Sequence, residues 1–406
     1  MHEACQLLGV RPQTVYAYVS RGKLEVMPDS TDTRRSLYRA EDVAGLAKRK
    51  HDGRKHETLA TNTLFGSEPS IPTALCAFFK GRPHYRGQDA VTLAQTATLE
   101  DIAQLLWGAE QSVSFLVTAT VSVVSGKPGR VAAFTRLASL AAVGHSPRGR
   151  LTRVLHDEAQ GLIGQLASAF GAQHKGRHPL HVGFAKCWHQ TAQVGELLRT
   201  AMVLLADHEL TSSAFSARIA ASTGASLPAC LLAGLTTLSG PMHGDATGRV
   251  QALFNDVERL GADKVIDHYL SAALPLAGFG HHLYPDGDPR ARVLLTLFEP
   301  PEVIARFINR VTELTGLSPN IDVALAALVA RYRLPSDAAF GLFATARSVG
   351  LLAHSMEQLS VAQVIRPRGR YVGLMPVETA KKLPNTRSLA TNAAASWAPL
   401  AMMDRE

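Results

Sequence analysis

Cysteine is scarce in this chain: four residues in 406, Cys5, Cys76, Cys187 and Cys230, scattered without the spacing of a metal site or a disulfide framework. That excludes a disulfide-stapled scaffold and a zinc module, and leaves four reduced thiols as the expectation. Charge is also thin, at 19% of residues, while 46% are hydrophobic. A disordered chain shows the opposite balance. Long apolar runs are missing. The most apolar stretch, 113–124 (VSFLVTATVSVV), falls short of the ~20 residues needed to cross a bilayer. The opening MHEACQLLGV has no basic stretch leading into an apolar run, so it does not read as a signal peptide. A soluble, cytoplasmic protein with no membrane partner is expected. Sustained period-2 alternation is nearly absent, so the body is expected to be all-α.

What is present starts with length, enough for the cores of two or three domains. The net charge of +8 favours anionic partners: nucleic acid, phosphorylated cofactors or polycarboxylates. Basic residues gather at the start, where residues 1–55 hold eleven Lys/Arg against seven Asp/Glu. Glu3 to Leu8 reads as a short helix with Ala4, Leu7 and Leu8 on its buried side. Gly9-Val10 makes a turn, and Pro12 opens a second helix, where its missing N–H costs nothing. Val15 and Val19, four apart, face the first helix. The exposed face then carries Arg11, Gln13, Thr14, Tyr16 and Arg21, and Arg34 and Arg35 follow before a third helix over 40–50. The run EACQLLGVRPQTVYAYVSRGKL…RRSLYRAEDVAGL resembles the winged helix–turn–helix of the MerR/excisionase group over about fifty residues. That resemblance implies DNA contact through these seven side chains; a packing or dimerisation module is the alternative.

A basic stretch at 48–56 (KRKHDGRKH) separates this head from the body. Thr98-Leu-Glu-Asp101 is a capping signal opening onto Ile102, Leu105 and Leu106, with Gly108 to close. Helical patterns follow at 211–223, 228–238, 246–260, 263–274, 288–299, 301–315, 321–333 and 337–359. Residues 374–406, rich in Ala, Thr, Ser and Pro, are expected to form a loosely ordered extension.

Three Gly/Pro-punctuated loops interrupt the helices. In the first, Gly240-Pro-Met-His243-Gly, the histidine stands just before a helix start, where free N–H groups and the dipole disfavour a second positive charge. In the second, Gly278-Phe-Gly-His281-His282-Leu-Tyr284 runs to Asp288-Pro289-Arg290, where Asp288 can cap the helix that Pro289 begins. The third, Pro319-Asn320-Ile321-Asp322, sets a carboxylate at another helix start. Each alone reads as ordinary loop hydrogen bonding.

Together and in this order, GPMHG, GFGHHLY…DPRA and PNID resemble the three catalytic segments of citrate synthases, each about 40 residues from the next. Asp207-His208-Glu209 upstream, the segment from Arg347 through AHSMEQ to Arg366 downstream, and YRG at 85–87 fit the same family. The resemblance spans roughly 58–373. It implies a larger helical domain from 53–225 and 335–373 and a smaller one from 226–334, behind the head at 1–52.

It also implies condensation of acetyl-CoA with oxaloacetate to citrate and CoA, an acyl transfer with no permanently bound cofactor and no metal. Propionyl-CoA, giving 2-methylcitrate, is the nearest alternative. By resemblance Asp322 is the base that takes a proton from the thioester methyl, His243 the donor to the enolate oxygen, and His281 the donor to the ketone. His208, Arg290 and Arg347 match the family's substrate-binding residues, since arginine grips carboxylates through two bonds. Arg366 matches the arginine that reaches into a neighbouring subunit, which implies a homodimer with shared sites. A burial argument applies to Arg347 in its own right: flanked by Ala346, Val349 and Leu352, it needs an anion, either a ligand or a structural carboxylate. Departures from the family fall at Thr211-Ser212-Ser213, where many members carry an Asn shortly after the Asp207-His208-Glu209 segment, at HGDATG (243–248), at Val323-Ala-Leu-Ala, and at Leu351 in place of Trp. They bear on the acyl chain and acceptor rather than on the acid–base set. The rival of another class is a transcription regulator that keeps this fold as a metabolite sensor.

Overall fold

A computed structural model describes residues 2–8, 15, 18–19, 24–28, 36–43, 71–117, 129–172, 178–272, 274–361, 363–366 and 373. The seven head side chains read as DNA-facing, the basic stretch 48–56 and the extension 374–406 lie outside these residues. The chain divides into two units, Met1–Ala362 and Gln363–Glu406.

In the head, α1 (His2–Leu8) precedes a hairpin of β1 (Val26–Pro28) and β2 (Ser36–Tyr38), paired antiparallel with Val26 opposite Tyr38. Ala4, Leu8, Val15, Leu24 and Val43 form a small core of their own. Leu7 does not join it and is 70% exposed. Ala4 and Leu8 lie four residues apart on one stripe, and a helix this short buries no wider face.

Among the described residues the body is helical apart from one antiparallel sheet, order β3-β4-β5: β3 (Cys76–Phe79), β4 (Arg82–Tyr85) and β5 (Gln88–Asp89). Its turns, Lys80-Gly81 and Arg86-Gly87, hold positive φ at both residues. That is the two-residue hairpin geometry that matches strand twist. Helices follow as α2 (Ala90–Leu93), α3 (Leu99–Trp107), α4 (Gly129–Val143), α5 (Thr152–Ala169), α6 (Leu180–Cys187), α7 (Ala192–Leu205), α8 (Ser212–Ser222) and α9 (Leu227–Leu238). Next come α10 (Ala246–Leu260), α11 (Ala262–Ser271), α12 (Pro289–Thr296), α13 (Glu302–Thr315), α14 (Ile321–Tyr332) and α15 (Ala338–Ser360).

Local chemistry explains many boundaries. Thr98 and Asp101 form a full capping box on α3, and Gly108 closes it in the left-handed conformation. Helix α13 buries Ile304, Phe307, Ile308 and Val311, the i, i+3, i+4, i+7 stripe of a surface helix. Helix α15 differs: it is buried on all faces from Ala338 to Ser355, as befits a central helix. Helices α3, α7, α8 and α9 pack on it, and Trp107 Nε1 donates to the Val349 carbonyl at 3.0 Å. No helix among the described residues is long and apolar enough to cross a membrane.

Candidate active site

The three loops converge because two of them pair. Phe279 and Pro319 form an isolated antiparallel bridge, the Gly280 N–H donates to the Ser318 carbonyl at 2.8 Å, and the Asn320 N–H to that of Gly278 at 2.8 Å. Gly278 is required here: its φ is +86°, and a Cβ would stand 2.6 Å from Val323 and 2.7 Å from Val250. Asp288 adds a second tie. Its side chain caps α12 by accepting the Arg290 N–H at 3.0 Å and also accepts the Ile321 N–H at 3.0 Å. One buried carboxylate thus binds the start of α12 to the start of α14, where Asp322 sits.

The result is a cavity of about 670 Å³ lined by His208, His243, His281, Arg290, Asp322 and Arg347. Six of the seven residues expected in the substrate site come together; Arg366 lies in the second unit and is exposed. His282 also lines the cavity, its ring stacked on that of His281 at 4.9 Å.

Hydrogen bonds decide which ring nitrogens face the cavity. His243 Nε2 is engaged by Ser213 Oγ at 2.8 Å, which leaves Nδ1 for a ligand. His281 Nδ1 accepts the Leu283 N–H at 3.2 Å, so its proton is on Nε2 and free to donate. His208 Nε2 meets Tyr284 Oη at 2.8 Å, and the Phe78 ring from β3 stands edge-on to it at 5.0 Å.

All three imidazoles are neutral near pH 7. Burial, and after it the Arg347 charge, lowers His243 to about 4. Burial and Arg290 take His281 to about 4 as well. His208 falls well below its ordinary value for the same reasons. Asp322 goes the other way: burial lifts it from 3.8 to about 6, against the pull of a hydrogen bond from Thr247.

The two arginines differ. Arg290 is 2% exposed and binds Asp288 through Nε at 3.0 Å and Nη2 at 2.8 Å. Burial pushes the Asp288 carboxyl up, but Arg290 beside it holds it below its ordinary value. Arg290→Ala strands that carboxylate, so a loss of about 3–5 kcal/mol in denaturant stability is expected. Arg347, 1% exposed, forms no ion pair among the described residues; its Nε donates to the Leu205 carbonyl at 2.8 Å. Asp207 is the protein carboxylate that most favours its charge, without a direct ion pair between the two among the described residues.

Thr247 was missed by sequence reasoning beyond its mark as a family departure. Its Oγ1 donates to Asp322 Oδ1 at 2.6 Å, and Oδ2 takes no hydrogen bond from the described residues. The signal was positional: four residues past His243, in the first turn of α10. Because this bond favours the ionised carboxylate, Thr247→Val is expected to move the acidic limb of a kcat/KM–pH profile upward by roughly half to one pH unit. Ser213, which falls in a departure from the family, Tyr284, which falls in the GFGHHLY segment, and Phe78 were likewise given no role.

A family model described as "Citrate synthase, C-terminal domain" matches residues 134–368. Citrate synthase of Haloferax volcanii is 33% identical over 195 residues, 44% of this chain and 51% of that protein. The 2-methylcitrate synthase of Shewanella oneidensis is 26% identical over 337 residues, 72% of this chain and 89% of that protein. Among solved structures, the ternary complex of carboxymethyl coenzyme A and oxaloacetate with citrate synthase from Thermoplasma acidophilum superposes with a TM-score of 0.67. It is 21% identical and covers 80% of this chain and 98% of its own. The likeness establishes a citrate synthase fold. The chain belongs to the citrate synthase family, although it spans about half the length of the first curated relatives it matches.

Proposed function

We propose that the chain condenses an acyl-CoA, acetyl-CoA first, with oxaloacetate to give citrate and free CoA. One observation carries the reading: a carboxylate raised to about 6 shares the cavity with three neutral imidazoles and an arginine that has no direct ion pair among the described residues. Asp322 removes a proton from the thioester methyl while His243, through Nδ1–H, donates to the enolate oxygen. The nucleophilic carbon then bonds to the ketone carbon of oxaloacetate. His281 donates its Nε2 proton to the oxygen that becomes the alkoxide, and water hydrolyses the thioester. Arg347, Arg290 and His208 bind the dicarboxylate. Arg347 does so with its remaining donors, Arg290 with those that Asp288 does not occupy.

The division into a larger and a smaller domain and a homodimer, with Arg366 completing the neighbour's site, belong to the same reading. The head is read as a winged helix–turn–helix, supported by its β1–β2 hairpin and separate small core. The experiment is CoA-thiol release with acetyl-CoA or propionyl-CoA, each with oxaloacetate. Release that needs oxaloacetate is expected, and the faster acyl-CoA defines the synthase; no release from either refutes the reading.

A further inference from the structure

Behind His208 the backbone makes a strained turn. Glu209 has a φ of +61°, left-handed without being glycine, a conformation that persists only where its surroundings impose it. The surroundings are α15. Besides the bond from Arg347 to Leu205, the Gly350 N–H donates to the Ala206 carbonyl at 3.1 Å. A Cβ at Gly350 would stand against Asp207 Oδ1 and the Ala206 oxygen, so only glycine lets helix and turn meet this closely. Asp207 closes the turn: Oδ2 accepts the Glu209 N–H at 3.1 Å, and Oδ1 lies 3.3 Å from His354 Nε2. Both facing atoms are buried, and among the described residues this close approach is the only polar contact either makes, without the alignment of a full hydrogen bond.

The proton on His354 is fixed from behind. Arg218 Nε donates to His354 Nδ1 at 2.9 Å, and a guanidinium can only donate. The ring proton is therefore on Nε2, the nitrogen on the side of Asp207. Arg218 is itself held by Glu357, by Thr73 at 3.1 Å and by Gln358 at 3.3 Å. Arg218 is 1% exposed; His354 and Asp207 are 0%. Among protein charges, Asp207 is the one that most favours the charged form of Arg347.

We infer that His354 is a positioning residue: by holding Asp207 it keeps the 207–209 turn, and with it His208, in place and keeps Asp207 off Arg347, so that the guanidinium is left for the dicarboxylate. The substrate side of this rests on the function proposed above. Freed from His354, Asp207 turns toward Arg347 and competes with the substrate carboxylate, while the turn carrying His208 relaxes.

The test combines kinetics with nitrogen NMR on the full chain. In protein labelled with 15N-histidine, the resonances lost in His354→Gln identify His354, and the neutral Nε2–H form is expected. In His354→Leu the KM for oxaloacetate rises about tenfold or more, with kcat within about threefold. His354→Gln, whose amide can accept from Arg218 and donate to Asp207, restores KM to within about threefold of the parent. An Nδ1–H form overturns the inference even if His354→Leu does not fold. So does a folded His354→Leu with unchanged KM, or a Gln variant as impaired as Leu. A parent chain without turnover would refute the proposed function, and the tautomer would still decide the role of His354.

Discussion

Asp322→Asn is expected to lower kcat by about three orders of magnitude, within the range measured for removal of a general base. Its effect on stability should have the opposite sign. In the unfolded chain this carboxyl has its ordinary value of 3.8; burial raises it to about 6 in the folded protein. Between those values the folded state holds a proton that the unfolded state has lost, so stability falls as pH rises through that window. Above about pH 6 the penalty is complete, of the order of 3 kcal/mol. Asparagine never ionises and avoids it. Melting curves at pH 7.5 should show the variant more stable than the parent, while at pH 4 the gap should close. Equal melting at both values would mean that Asp322 is not desolvated in solution.

Arg347→Met should weaken oxaloacetate binding by about 10²–10³-fold, the cost of removing one partner from a buried charge pair. The argument turns on what Arg347 lacks. Its only hydrogen bond among the described residues goes to the Leu205 carbonyl, and burial disfavours its charge. A structural ion pair would make the methionine variant unfold more easily. A cation kept for a ligand predicts the reverse, that the variant melts no lower than the parent. Calorimetric titration of oxaloacetate, paired with melting of the empty protein, separates the two roles. Unchanged affinity would remove Arg347 from the site.

Helix boundaries were legible because their signals are local. The pattern read over 246–260 is α10 as observed, and that over 211–223 contains α8. Asp288-Pro289 and Thr98…Asp101 capped as their chemistry dictates. The hairpin of β3 and β4 was not read, since strands of four residues are too short to display an alternation. Only the glycines of Lys80-Gly81 and Arg86-Gly87 hinted at it. Convergence of the loops was beyond spacing alone: the Phe279–Pro319 bridge and the double use of Asp288 are tertiary facts, and the order of motifs stood in for them. Partners that touch the site from other elements, such as Thr247 on Asp322, Ser213 on His243 and His354 on Asp207, carry no sequence mark of the contact they make. They became visible only when the helices were packed.

The central claim is that this cavity takes a proton from a thioester methyl through Asp322. Proton NMR of acetyl-CoA in D₂O, with a dicarboxylate that lacks the ketone so that condensation cannot follow, reads that step directly. The parent protein is expected to exchange the methyl protons for deuterium and Asp322→Asn to leave them untouched. Exchange that persists in the variant, or that never occurs in a parent able to bind the dicarboxylate, would contradict the account.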